Sequence, residues 1–154
     1  MLLVLLAALA LTEPDPIIGR ASVIDGDTLE IRGQRIRLWG VDAPEGRQTC
    51  TRAGAAYRCG QEAANALAYA IGPSTVTCVS RGRPDRYRRI VARCTVSSAG
   101  LTGDIAQWLV LSGHALDYPH YSAGAYAESE RFAREGRTGV WAGEFQRPWE
   151  WRAR

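Results

Sequence analysis

The sequence predicts an α+β domain, a small closed barrel of five short strands with about three helices packed against it. Three observations carry that reading. Apolar residues alternate with polar ones between Ala21 and Val41, as in half-buried strands. Two further β-branched segments, Thr75–Ser80 and Arg89–Val96, follow an Ala-rich stretch of helical character. The last third then turns helical, with a capping residue at the start and a glycine at the end of each candidate helix.

The first three strands read as Ala21–Ile24, Thr28–Arg32 and Arg35–Val41. Leu29, Ile31, Ile36 and Leu38 lie two apart on one face, and a turn falls at Gly33. The segment Cys59–Gly72 places Leu67 and Ile71 four apart and ends on Gly72, which marks a helix. Thr75–Ser80 and Arg89–Val96 are joined by the basic, turn-prone stretch RGRPDRYR. Asp104 can cap IAQWLVLSG, ending at Gly113, and Ser122 opens SAGAYAESERFAREG, ending at Gly136. The tail WAGEFQRPWEWRAR reads as irregular, its tryptophans packing on the body. Five short strands interrupted and followed by helices suit a five-stranded oligonucleotide-binding barrel, the OB-fold.

With 154 residues, the chain holds one domain with a sizeable core. Its 46% hydrophobic and 23% charged content excludes wholesale disorder. The net charge of +3 permits an anionic partner without demanding one. All 19 basic residues are Arg, and guanidinium groups grip phosphates in a two-pronged way that ammonium groups cannot. The opening MLLVLLAALALTEPDP has too short an apolar run to span a bilayer but suits a secretory signal, with Ala8-Leu9-Ala10 as a small-x-small cleavage site. No basic residue precedes that run, and a buried terminal helix is the alternative. Residues 1–19 are therefore expected to be signal peptide and linker, and residues 20–154 the folded domain. No stable membrane span is expected.

Cys50, Cys59, Cys78 and Cys94 fit export to an oxidising compartment, secreted or periplasmic. Metal binding is disfavoured, since no cysteine pair has a zinc-knuckle spacing and the only histidines are His114 and His120. Of three connectivities, local geometry favours Cys50–Cys59, closing a short loop, and Cys78–Cys94, tying successive strands. Free buried cysteines are the alternative.

The hairpin VIDGDTLEIRGQRIRLWGVDAPE gathers Asp25, Asp27, Asp42 and Glu45 at its strand ends, with Arg35 and Arg37 between them. Carboxylates from separated strand ends, with room for water, suit a hard cation such as Ca²⁺ or Mg²⁺. A DGD alone is usually a solvated turn, and the arginines singly are ordinary surface residues. In combination, a metal beside guanidinium groups is what phosphoryl transfer requires.

VIDGDTLEI, RLWGVDAPE, DRYRR and GVWAGEFQRPWEWR together resemble the thermonuclease (staphylococcal nuclease) family, over roughly Ile18 to Trp151. The resemblance implies an OB-fold and a calcium (Ca2+)-dependent phosphodiesterase acting as a monomer on DNA and RNA with little sequence preference, leaving 3′-phosphate ends. It implies metal ligation by Asp27, Asp42 and the Ala43 carbonyl, with Asp25 behind them. It makes Arg37 and Arg89 the catalytic arginines, Glu45 the residue acting on the attacking water, and Tyr87 and Tyr118 the aromatics lining a nucleotide pocket. Two positions depart from the family pattern: Arg88 stands where Gly is usual, and Asp104-Ile105-Ala106 where many relatives read DLN. A catalytically weak nucleic-acid-binding module on the same barrel is the rival reading. The presence of Asp27, Arg37, Asp42, Glu45 and Arg89 together favours the enzyme.

Overall fold

The structure, a computed structural model, describes residues 13–154. Of the expected signal and linker segment, residues 1–19, residues 1–12 lie outside the described residues, while Ile17, Ile18 and Gly19 belong to the first strand of the domain and pair with Cys78, Thr77 and Val76. Strand β1 (Ile17–Asp25) alternates half-buried and exposed positions, and with β2 (Thr28–Ile31) and β3 (Gln34–Leu38) it forms an antiparallel meander. After a break at Gly40, whose φ is +77°, β4 (Val41–Asp42) departs from the barrel, so the segment expected as one strand to Val41 is two. A small hairpin, β5 (Cys50–Arg52) and β6 (Ala55–Tyr57), leads into helix α1 (Cys59–Ile71). Strands β7 (Thr75–Ser80) and β8 (Ile90–Ser97) pair antiparallel, and β9 (Thr102–Asp104) extends the sheet beside β8.

The barrel closes because β7 pairs with β1 and β8 pairs with β3, giving the cyclic order β3-β2-β1-β7-β8. The β3–β8 contact is parallel, with Arg37 opposite Val91. This five-stranded closure is the expected OB-fold. Leu29, Ile31, Ile36, Leu38, Val76, Ala92 and Val96 fill the interior, and Leu67 and Ile71 of α1 plug the end. Alternation along the strands therefore sends apolar side chains inward.

Helix α2 (Ile105–Leu111) starts at Asp104, whose carboxylate accepts from Ala106 N at 2.9 Å and Gln107 N at 3.3 Å, as the sequence led us to expect. Strand β10 (Leu116–Asp117) then pairs with β4. The helix expected from Ser122 to Gly136 begins only at Ala127, as α4 (Ala127–Glu135), and Ser122 instead ends a separate short helix, α3 (Pro119–Ser122). Ser122 sits at the break between the two. Its hydroxyl donates to Asp117 Oδ1 at 2.6 Å and accepts from Gly124 N at 2.9 Å, while Ala123 and Gly124 adopt φ of 52° and 84°. The tail holds more structure than expected, a 3₁₀ turn at Gly139–Ala142 and helix α5 (Pro148–Arg152). Its tryptophans do pack on the body: Trp141 and Trp149 cover a second cluster of Cys50, Cys59, Leu116 and Val140.

Both expected disulfides are formed, Cys50–Cys59 and Cys78–Cys94, and none of the cysteines among the described residues is free. Cys78 and Cys94 face each other across β7 and β8 in the barrel interior, and Cys59 ties the start of α1 to β5. Among the described residues no helix is long and apolar enough to cross a membrane.

Candidate active site

The hairpin's carboxylates converge because the β1–β2 turn and β4 lie side by side at one end of the barrel. Asp27 is 7% exposed, and its Oδ2 accepts from Ala43 N at 2.8 Å, which sews the turn to β4. Gly26 permits this approach: a Cβ there would meet the Ala43 Cβ at 2.7 Å and the Ala63 Cβ of α1 at 3.0 Å. Asp25 Oδ1 accepts from Asp27 N at 3.1 Å and so shapes the turn from behind. Burial first, and the Asp27 carboxylate second, push the Asp25 carboxyl up to about 6. Burial also raises Asp42, against the opposing pull of Arg152 and Arg37.

Arg37 leaves β3 on the face opposite Ile36 and Leu38, as alternation predicts, and lies between the two aspartates. Its Nη1 is 3.2 Å from Asp27 Oδ2 and its Nη2 is 3.1 Å from Asp42 Oδ1. Nη1 also donates to Leu38 O at 3.1 Å. Of five guanidinium N–H groups, two donate in hydrogen bonds, Nη1 also faces Asp27 as an ion pair, and Nε–H has no partner among the described residues. Arg89 enters from the start of β8. Its Nε donates to Asp85 Oδ2 at 2.8 Å, and its Nη1 donates to Thr28 Oγ1 at 3.1 Å. The Thr28 hydroxyl in turn donates to Asp27 Oδ1 at 3.2 Å, so Arg89 is linked to the carboxylates through Thr28.

Glu45 lies on the loop after β4. Its backbone N donates to Gln48 Oε1 at 3.1 Å, and its carboxylate Oε1 accepts from Arg152 Nη1 at 2.5 Å. Arg152, from α5, also donates to Asp42 Oδ1 at 3.0 Å and Oδ2 at 2.7 Å. Hydrogen bonds to Asp42 and then Glu45, outweighing burial, hold the Arg152 guanidinium above the usual arginine range.

Residues 35–143 match the family model described as staphylococcal nuclease homologue. The chain belongs to the staphylococcal nuclease homologue family. It is 44% identical over 142 residues to "Succinoglycan biosynthesis protein ExoI" of Rhizobium meliloti (strain 1021), covering 88% of this chain and 72% of that one. It is 33% identical over 129 residues to "Probable staphylococcal-like nuclease CAN4" of Oryza sativa subsp. japonica, covering 82% of this chain and 23% of the rice protein. A second rice protein, "Probable staphylococcal-like nuclease CAN3", is 30% identical over 128 residues, of which the alignment takes in 30% of its length. The chain therefore spans less than a third of either rice protein. Family membership supports a nuclease.

In this staphylococcal nuclease homologue, the expected residues Asp25, Asp27, Arg37, Asp42, Ala43, Glu45 and Arg89 meet in one connected network. Arg88, by contrast, is exposed and sits at φ 65° with its N–H donating to Asp85 O at 2.9 Å. That left-handed turn position is one that glycine fills without strain. Tyr87 is 64% exposed beside Arg89, whose Cζ lies 5.4 Å from its ring centroid. Tyr118 stacks on Trp149 of α5 with centroids 5.0 Å apart and 5° between planes.

Sequence reasoning missed Thr28, Asp85, Gln48 and Arg152. Thr28 and Asp85 stand inside DGDT and DRYRR, where a link and a clamp were there to be noticed. Nothing local distinguishes Arg152 from other surface arginines; only its place in the closing motif PWEWR hinted at it, 107 residues from Glu45. Gln48, fully buried, donates to Gln146 O at 2.7 Å and joins the Glu45 loop to the segment before α5.

Among the described residues no three His, Cys, Asp or Glu side chains gather as a metal cage. The donor set still fits a hard cation. Each carboxylate oxygen accepts about two hydrogen bonds. Asp42 Oδ1 and Asp27 Oδ2 each have two partners, whereas Asp42 Oδ2 and Asp27 Oδ1 each have one. One lone pair thus stays open on each aspartate, and Ca²⁺ would complete its shell with carbonyl and water oxygens.

Proposed function

We propose that this protein is a Ca²⁺-dependent nuclease that hydrolyses phosphodiester bonds of DNA and RNA with little sequence preference, leaving 3′-phosphate ends, in a secreted or periplasmic setting. One observation carries the reading: two aspartates with open lone pairs adjoin two arginines that keep unpartnered N–H groups, with a glutamate alongside. Asp27, Asp42 and the Ala43 carbonyl would hold Ca²⁺, which when bound supplies a fixed double positive charge beside the phosphate.

The chain's own residues do the rest. Glu45 takes the proton from the attacking water as its oxygen bonds to phosphorus. The bond from phosphorus to the 5′-oxygen breaks, and that oxygen gains a proton from solvent. Arg37, through its unpartnered Nε–H, and Arg89, with three N–H groups beyond its bonds to Asp85 and Thr28, meet the charge that builds on the non-bridging oxygens. Asp85 fixes the direction of Arg89, and Tyr87 offers a face on which a base can stack. Arginine rather than lysine at both positions provides planar, forked donors.

The test is digestion of single-stranded DNA and RNA by the purified protein, with Ca²⁺ or with excess chelator, and analysis of product ends. Cleavage in Ca²⁺ that stops on chelation and leaves 3′-phosphates supports the reading. Undiminished cleavage in chelator refutes the metal site. Binding without cleavage favours the rival nucleic-acid-binding module.

A further inference from the structure

We infer that Arg152 is a positioning residue of the active site, which holds the Glu45 carboxylate at a fixed distance from Asp42 while tempering the negative charge offered to a metal. The inference rests on the proposed nuclease reading and adds to it a residue that lies outside the matched family region of residues 35–143. Glu45 stands on an exposed loop, its side chain 38% accessible, and its backbone bonds only to Gln48. Among the described residues Arg152 is the side chain that holds its carboxylate. The same guanidinium grips both oxygens of Asp42, which is 1% exposed. A planar fork that bonds two carboxylates at once fixes their separation as well as their orientation, which a single ammonium cannot do.

Helix α5 is short, yet it is anchored so that it can present this arginine. Pro148 opens it, Gln48 Nε2 bonds Gln146 O just before it, and Trp149 stacks on Tyr118. Arg152 leaves one lone pair on Asp42 Oδ2 open, so it shares the aspartate with a cation and need not vacate it. Two opposite consequences follow from removing it. The site becomes more negative by one unit and should bind Ca²⁺ more tightly. Glu45 loses its tether and should work more slowly.

The experiment compares wild type, Arg152→Ala and Arg152→Lys by calorimetric Ca²⁺ titration, by kcat and KM on a single-stranded oligonucleotide at saturating Ca²⁺, and by thermal unfolding in chelator. Arg152→Ala should bind Ca²⁺ about tenfold more tightly, the order expected for one unit charge removed beside a divalent ion. Its kcat should fall about 10- to 100-fold with KM little changed, as for other residues that orient a catalytic group. Guanidinium ion added to solution should restore part of that kcat, and should not restore Glu45→Gln. Arg152→Lys should keep wild-type Ca²⁺ affinity and still lose at least about tenfold in kcat. Wild-type kcat in either variant, or Ca²⁺ affinity falling together with kcat in Arg152→Ala, would overturn the inference. Should Arg152→Ala fail to fold, the Arg152→Lys kcat decides alone. If the wild type neither binds Ca²⁺ nor cleaves, the nuclease reading itself falls and this inference with it, an outcome distinct from the variant results.

Discussion

Gly60→Ala, one methyl group added near the start of α1, should disable the site from behind. The added Cβ would overlap the Glu45 carbonyl oxygen and lie 2.6 Å from the Glu45 carbonyl carbon, where ordinary van der Waals contact begins at 3.4 Å. Loop and helix must therefore separate by at least the difference, 3.4 − 2.6 = 0.8 Å. The helix is the less able to move. Its first residue, Cys59, is buried and disulfide-bonded to Cys50, and Leu67 and Ile71 further along are locked into the barrel core. The displacement then falls on Glu45. A misplacement near 1 Å typically costs about 10²-fold in rate. Overpacking should cost about 1–3 kcal/mol, reduced by up to ~1 kcal/mol because Ala favours a helix over Gly. The assay is kcat and KM on a DNA oligonucleotide with thermal unfolding alongside, and Gly46→Ala as control, since a Cβ at Gly46 meets nothing within 4 Å. A folded Gly60→Ala protein with wild-type kcat would show that Glu45 need not be held where the structure places it.

Three further outcomes are expected. Removing Cys78–Cys94 by double Ala substitution should cost about 3 kcal/mol in urea unfolding for its separation of 16 residues, against about 2.5 kcal/mol for Cys50–Cys59 with 9; the reverse order would count against the loop-entropy account. Because Asp25 is pushed up to about 6, the folded chain retains a proton that the unfolded chain loses near 3.8, so stability should fall as pH rises through that window. Asp25→Asn, which keeps an acceptor for Asp27 N, should flatten that slope in chelator and add at most about 3 kcal/mol at pH 7; an unchanged pH profile would contradict it. Arg89→Ala should lower kcat about 10²- to 10³-fold, whereas Arg88→Ala should leave saturated turnover nearly intact and weaken binding mainly at low salt, with a shallower salt dependence; the opposite pattern would reassign the arginine.

The barrel was legible in the sequence because its code is local. Leu29, Ile31, Ile36 and Leu38 each declare their face by alternation, and Cys78 faces Cys94 because β7 and β8 are neighbours in the chain. The strand-end carboxylates were legible because DGDT and VDAPE place them there, and the β1–β2 turn lies beside β4. What stayed hidden depended on distant partners. The break between α3 and α4 falls where Ser122 reaches Asp117, a bond that no helical periodicity announces. The grip of Arg152 on Glu45 depends on how the tail docks, through Gln48, Tyr118 and Trp149, and no pattern within PWEWR encodes that docking. Local patterns set the scaffold; tertiary contacts finish the site.

The parallel closure of β3 on β8 has a bearing on how such a protein can diversify. The β3–β8 ladder places Arg37 opposite Val91, two residues past Arg89. The spacing of the two backbone positions is thus gauged by the barrel wall, and the residues from Gly82 to Pro84 do not enter into it. The stretch from Gly82 to Arg88 is exposed almost throughout, and within it the Asp85 carboxylate bonds Arg89 and the Tyr87 ring lies beside it. Provided the Asp85–Arg89 turn is kept, mutation can resize or recharge the residues before it without altering the register between the two arginines. Selection could then retune which molecules gain entry while the machinery beneath stays in gauge.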